Sequence, residues 1–132
     1  MRKALLADTG PLYAAVDPSD KHHSQALREL QELARRRCEV VVSFPTLAEA
    51  YSLILRKLGQ SIASRWLNEM VDAVLINPTP EDYRQAIVKL TAFAGQSITL
   101  FDATVAVLAL RIGVQVWTYD HHFDVMRVPV WR

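Results

Sequence analysis

Ala4-Leu5-Leu6-Ala7-Asp8-Thr9-Gly10-Pro11 decides the fold: a short apolar run ends on an acid and the chain then turns. An apolar run of this length, bounded by turn residues, predicts a buried strand over residues 3–7. The pattern recurs along the chain. Val40-Val41-Val42 predicts a second strand to Ser43, with Glu49 just beyond it, and Val114-Gln115-Val116-Trp117 predicts another, followed by Asp120. Ala73 to Ile76 reads as a further short strand, and Val128 to Val130, with Pro129 inside it, as an edge strand.

Helical patterns fill the intervals. A small helix ends near Val16, before the turn cluster Asp17-Pro18-Ser19-Asp20. A helix from about Lys21 to Arg37 places Leu27, Leu30, Leu33 and Ala34 on one face. Pro45 suits the first turn of the next, whose apolar stripe is Leu47, Ala50, Ile54 and Leu58 and whose stop is Gly59. Another covers roughly Ser61 to Val71. Thr79-Pro80-Glu81-Asp82 starts a helix with core face Tyr83, Ala86, Ile87, Leu90 and Phe93, ending at Gly95. Leu100 to Ile112 is apolar nearly all round, which places it in the centre of the domain, with Gly113 as its stop.

Strands alternating with helices predict an α/β fold, a mostly parallel sheet covered on both faces. Right-handed crossovers then bring the strand ends carrying Asp8 and Asp120 to one edge of the sheet, and Glu49 and Asp102 arrive there from helices. In such a sheet ligands bind beyond the carboxyl ends of the strands. A carboxylate set without a cysteine pair or paired histidine ligands suits a hard cation such as Mg2+ or Mn2+. That combination points to phosphoryl chemistry on a polyanion.

Composition bounds the reading. The 132 residues make one ordinary domain, residues 1–132, with 51% hydrophobic and 22% charged residues. The start Met1-Arg2-Lys3 followed by Ala4 to Ala7 is interrupted by Asp8 and Gly10-Pro11 too early for a secretory signal, and Val105 to Leu110 is too short to span a bilayer. No membrane role is expected. One cysteine, Cys38, allows no internal disulfide and fits a cytoplasmic setting. Net charge is +1, so nucleic acid binding is permitted and not demanded; the first half is net basic, while Asp102, Asp120 and Asp124 contribute to an acid excess in the second.

Each acid has a purely structural alternative. Thr46-x-x-Glu49, Thr99-x-x-Asp102 and Thr79-x-x-Asp82 all match the capping-box pattern. Asp8 suits an Asx-turn supporting Thr9-Gly10, and Asp120 can cap the turn at His121-His122. Asp102 stands apart because its neighbours Leu100, Phe101, Ala103 and Val105 imply partial burial, costly for an unpaired carboxylate. Asp82, among polar residues, needs no more than the cap. The pairs His22-His23 and His121-His122 do not point two rings the same way and are not expected to ligate metal. Arg35-Arg36-Arg37 reads as a solvated helix end. Trp66, Trp117 and Trp131 read as core or interface residues. No Gly-rich phosphate loop exists.

Ala7-Asp8-Thr9-Gly10-Pro11-Leu12, Asp17 through His23 with Ala26, Pro45-Thr46-Leu47-Ala48-Glu49, Leu100-Phe101-Asp102-Ala103-Thr104-Val105-Ala106 and Thr118-Tyr119-Asp120-His121-His122-Phe123 resemble, in order and spacing, the PIN-domain family. Within it they resemble the VapC-type toxins of bacterial toxin–antitoxin pairs. The resemblance implies a three-layer αβα sandwich and an Mg2+- or Mn2+-dependent endoribonuclease acting on RNA. It also implies a homodimer and a small antitoxin partner that occupies the site. On this resemblance Asp8, Asp102 and Asp120 are direct or water-mediated metal ligands, and Glu49 is a further ligand or orients the attacking water. Thr118 and Thr9 are supporting hydroxyls. Asp124 is either an additional acid of the site or a solvated turn residue. Crowded carboxylates repel, so at least one should carry a raised pKa without metal. RNA selection would fall to surface loops and basic residues such as Arg35, Arg36, Arg56 and Lys57. A PIN nuclease of RNA maturation or decay, and a non-catalytic RNA- or protein-binding module, are the competing readings.

Overall fold

A computed structural model describes residues 3–132; the Met1-Arg2 start weighed above lies outside them. The strands are β1 (Ala4–Ala7), β2 (Glu39–Ser43), β3 (Val74–Ile76), β4 (Gln115–Trp117) and β5 (Val130–Trp131). They form one five-stranded sheet in the order β3-β2-β1-β4-β5, with every neighbouring pair parallel. The helices are α1 (Thr9–Ala14), α2 (His23–Arg35), α3 (Phe44–Leu58), α4 (Gln60–Glu69), α5 (Pro80–Ala92), α6 (Leu100–Ile112) and the single turn α7 (His122–Val125).

Period-two alternation along the strands splits the core in two. Leu5 and Ala7 of β1, Val42 of β2 and Trp117 of β4 face one side, where Leu12, Leu33, Leu47, Ile54 and Trp66 of α1 to α4 cover them. Leu6, Val41 and Val116 face the other, against Val105, Leu108 and Ala109 of α6 and Phe123 and Met126 of the α7 segment. This is the three-layer αβα arrangement expected from the sequence. Among the described residues no helix is long and apolar enough to cross a membrane.

Several local expectations are corrected. Helix α2 buries Ala26 and Leu33, seven residues apart, and leaves Leu27, Leu30 and Ala34 at the surface. Its start at His23 follows from the preceding turn, where the Asp17 carboxylate accepts from the Ser19 N–H and hydroxyl and from the Tyr13 hydroxyl. Ile87 of α5 is exposed, because α5 presses on α6 through Ala86 and not through the wider predicted face. The last strand falls at Val130–Trp131, two residues later than the apolar pattern suggested. Helix α6 is buried from Asp102 to Leu108 and Ala109 on most sides, but Leu100, Phe101 and Leu110 at its ends are exposed.

Asp82 is the largest correction. It does make the expected capping box with Thr79, yet it is also buried and takes a two-pronged ion pair from Arg111 of α6, at 2.8 and 2.9 Å. The arginine holds the Asp82 carboxyl below the usual carboxylate range and locks the α5–α6 hairpin. Arg111→Met strands that carboxylate on its cap alone and should destabilise the fold by roughly 1–3 kcal/mol in urea titration at neutral pH. Because the folded-state pKa is depressed, this contribution is present above the carboxylate range and lost as pH falls through the folded value. A variant as stable as wild type at neutral pH would show that the pair does not hold the hairpin.

Candidate metal centre

Parallel order places the carboxyl ends of β1 and β4 side by side at the point where the chain reverses direction across the sheet. Asp8 leaves β1 there, its N–H donating to the Trp117 carbonyl at 2.9 Å. Asp120 leaves the end of β4 next to it. Thr118 ties the two together: its hydroxyl donates to Asp8 Oδ2 at 2.8 Å and accepts from the Asp120 N–H at 3.0 Å.

Glu49 and Asp102 arrive from helices. Helix α3 is capped by Ser43, whose hydroxyl accepts from the Thr46 N–H, so the helix begins three residues before the predicted cap at Thr46. Glu49 is therefore free of any capping duty and instead accepts a short hydrogen bond from the Thr9 hydroxyl. Asp102 does cap α6: its N–H donates to Thr99 Oγ1 at 3.1 Å, and its Oδ2 accepts from the Thr99 N–H at 3.4 Å. The four acids line one cleft of about 840 Å³. Lys21, His22 and Tyr119 are on its walls, with Arg56 and Lys57 of α3. Arg35 and Arg36 pair with Glu32 and do not line this cleft. Asp124 is bonded to Arg132 at 2.7 Å and does not line the cleft either, which is the surface alternative for that residue.

Burial pushes the Asp8 carboxyl up to about 7, and the charges of Asp102 and Glu49 add to the shift against the lowering effect of Thr118. Glu49 is raised by burial and by Asp102, and Asp102 by burial and by Asp120. Three acids thus resist ionisation, as expected for carboxylates crowded without a counter-charge.

His122 was undervalued by sequence reasoning. Its Nδ1 is buried and makes no hydrogen bond, although Asp120 Oδ1 lies at 3.1 Å and Asp102 Oδ2 at 3.8 Å. The His121 and His122 rings lie 4.4 Å apart, and one potential ligand atom from each of Asp120, His121 and His122 falls within 4.8 Å of the others. His121 is the exposed partner here, and in the other pair His23 contacts the Ala14 carbonyl at 2.7 Å. A set of carboxylate oxygens held short of full ionisation, beside an orphaned imidazole nitrogen, fits a bound divalent cation.

The PIN domain family profile matches residues 5–129. No curated protein matches the chain by sequence. Among solved structures the fold superposes on Mycobacterium tuberculosis VapC20, described as a Sarcin-Ricin loop cleaving toxin, with a TM-score of 0.85 and 21% identity, covering 97% of this chain and 98% of that one. Rickettsia felis VapBC2, bound to a DNA fragment from its promoter, gives 0.74 and 16% over 98% and 97% of the two chains. FitAcB from Neisseria gonorrhoeae gives 0.69 and 19% over 97% and 96%. At these identities the likeness is one of fold.

The Asp8 shift carries a signed consequence. Its folded-state value, about 7, lies above the ordinary 3.8, so the native state holds this proton more tightly than the unfolded chain does. Metal-free protein should lose stability as pH rises from about 4 to about 7. Asp8→Asn keeps an acceptor for Thr118 and should raise the melting temperature in chelator above pH 7, while Mn2+ should stabilise wild type there and not the variant. Melting curves across pH, with and without metal, check this; equal melting temperatures for the two proteins in chelator above pH 7 would contradict the buried, crowded site.

Proposed function

The chain belongs to the PIN domain family, and on that premise we propose that it is a divalent-cation-dependent endoribonuclease, the toxin of a toxin–antitoxin pair. One observation carries the reading: four carboxylates from separate elements line a single cleft whose walls also bear Lys21, Arg56 and Lys57. Acidic and basic groups lining one cleft suit a metal ion bound beside a polyanion.

In this reading Asp8, Asp102 and Asp120 hold Mg2+ or Mn2+, either directly or through water, with Glu49 as a further ligand. When bound, the cation supplies a nucleophile at neutral pH and Lewis acidity toward the phosphate. The protein's own groups do the rest. Thr118 fixes the spacing of Asp8 and Asp120 through its two hydrogen bonds. Glu49, half-buried and held by Thr9, would serve either as that further ligand or to orient the attacking water. Lys21, Arg56 and Lys57 offset the charge of the RNA backbone flanking the cut. Structural similarity to VapC20, VapBC2 and FitAcB supports the toxin role and an antitoxin partner, while the homodimer rests on the family resemblance alone.

The test is cleavage of a cellular RNA pool in Mg2+ or Mn2+, in EDTA, and by Asp102→Asn. Asparagine keeps the acceptor for Thr99, so the cap and the melting temperature should persist. Loss of a ligand should cost more than loss of a group behind one, so turnover should fall at least about a hundredfold. Discrete cuts that survive both EDTA and Asp102→Asn would remove the assignment.

A further inference from the structure

Of the aromatic side chains that line the cleft beside the acids, Tyr13, His22, Phe101 and Tyr119, two lie ring against ring and have no task in the phosphodiester chemistry: His22 and Tyr119. Tyr119 stands between Thr118 and Asp120, so its ring enters the cleft beside the site. The His22 ring lies against it, with centroids 4.5 Å apart and planes tilted by 33°. Both residues are half-buried and both line the cleft.

The pair is held from behind. A single oxygen of Glu29 in α2, Oε1, accepts from the Tyr119 hydroxyl at 2.5 Å and from Trp117 Nε1 at 3.1 Å. Trp117 is buried in the core, so this carboxylate anchors the tyrosine to the sheet. His22 is fixed at its backbone, where its N–H donates to Asp20 Oδ1 at 2.8 Å. Gly10 at the start of α1 neighbours the tyrosine ring, where a Cβ would make an ordinary van der Waals contact with Tyr119 Cδ2 at 3.9 Å.

We infer that His22 and Tyr119 form a stacking subsite for one unpaired base of the RNA next to the scissile phosphate, with Glu29 as the residue that positions the tyrosine. The inference rests on the nuclease reading and deepens it. An aromatic surface suits any planar ligand, but this one shares its cleft with Lys21, Arg56 and Lys57, which select a ligand that is also a polyanion. A base within a continuous duplex is already stacked on its neighbours and offers no free face, so the subsite takes a base from a single strand or a loop. Rings held before binding lose little freedom when the base arrives.

The experiment uses the full chain in its cleavage-deficient Asp102→Asn form. The probe is short, randomised single-stranded RNA carrying 2-aminopurine, whose fluorescence falls when it stacks. The parent should quench the probe. His22→Ala and Tyr119→Leu should weaken binding about tenfold and abolish the quench, while His22→Phe, which keeps a ring, should restore both. Tyr119→Phe keeps the ring but loses the hydroxyl that Glu29 holds, and should restore part of each. A role confined to tying α2 to the β4 loop predicts lower melting temperatures without any selective loss of quenching. The subsite is overturned if the Ala and Leu variants quench as the parent does, if the Phe variants fail to restore the signal, or if the parent itself does not quench. Wild-type cleavage of the RNA pool is scored separately: cuts without variant-sensitive quenching overturn the subsite alone, and variant-sensitive quenching without cuts supports the subsite and overturns the nuclease.

Discussion

Crowded negative charge at the carboxyl end of a parallel sheet is the constraint around which this molecule is arranged. Asp8 is buried and within the field of Asp102 and Glu49, and Asp102 lies in the field of Asp120. Left to itself such a cluster would relax by turning its side chains apart or out to solvent. Neutral donors prevent this. The Thr118 hydroxyl spans Asp8 and the backbone of Asp120, the Thr9 hydroxyl holds Glu49, and the Thr99 backbone N–H holds the Asp102 carboxylate. Each is neutral and each keeps a carboxylate aimed without cancelling its charge. The charge is thereby left to be compensated by something that arrives from solvent.

The fold makes that crowding affordable by placing it where main-chain geometry is stiffest. Residues of adjacent parallel strands are in fixed register, with Ala7 opposite Trp117, so the first residues past the two strand ends have little freedom. Asp102 gains a second fixture from α6, where it closes the capping box with Thr99. The N-terminal end of that helix dipole favours a negative charge at this position. One side chain thus serves the start of the helix and faces the cleft. A capping role and a place on the cleft wall, which appear as competitors for Asp102 in the sequence, coexist in the structure. For Glu49 they do not, because Ser43 takes the capping role three residues earlier.

What could be read from the sequence was whatever depends on local order. Strand runs ending in acids located Asp8 and Asp120, and the parallel α/β sheet followed from the alternation of periods. Glycines at positive φ, Gly59 and Gly113, stop α3 and α6 where the pattern predicted. The rest depends on partners distant along the chain. Asp82 looked like a cap because nothing near it announces Arg111, 29 residues away. Nothing local marks Glu29, because its partners Trp117 and Tyr119 lie 88 and 90 positions on. Leu27 and Leu30 satisfied a helical stripe and remained exposed, since α2 meets the sheet along a strip only wide enough for Ala26 and Leu33. The pair His121-His122 was not expected to ligate because neighbouring side chains diverge, yet potential ligand atoms of both lie with one of Asp120 within 4.8 Å of one another.

The same electrostatics imposes an order on binding. The cleft is lined by Asp8, Asp20, Glu49, Asp102 and Asp120 together with Lys21, Arg56 and Lys57, so a polyanion is drawn toward the three cations and repelled by the carboxylates. A divalent cation changes the sign of that second contribution. On the proposed function, cation and RNA would therefore favour each other's binding, and by linkage the coupling would be reciprocal: RNA would strengthen the hold on the ion as much as the ion strengthens the hold on RNA. Carboxylates that resist ionisation serve this arrangement. With Asp8 near 7, the empty site carries less negative charge at neutral pH than four free acids would, and it releases a proton when an ion arrives. The buried acids that cost the fold stability thus keep the cleft responsive to its cation.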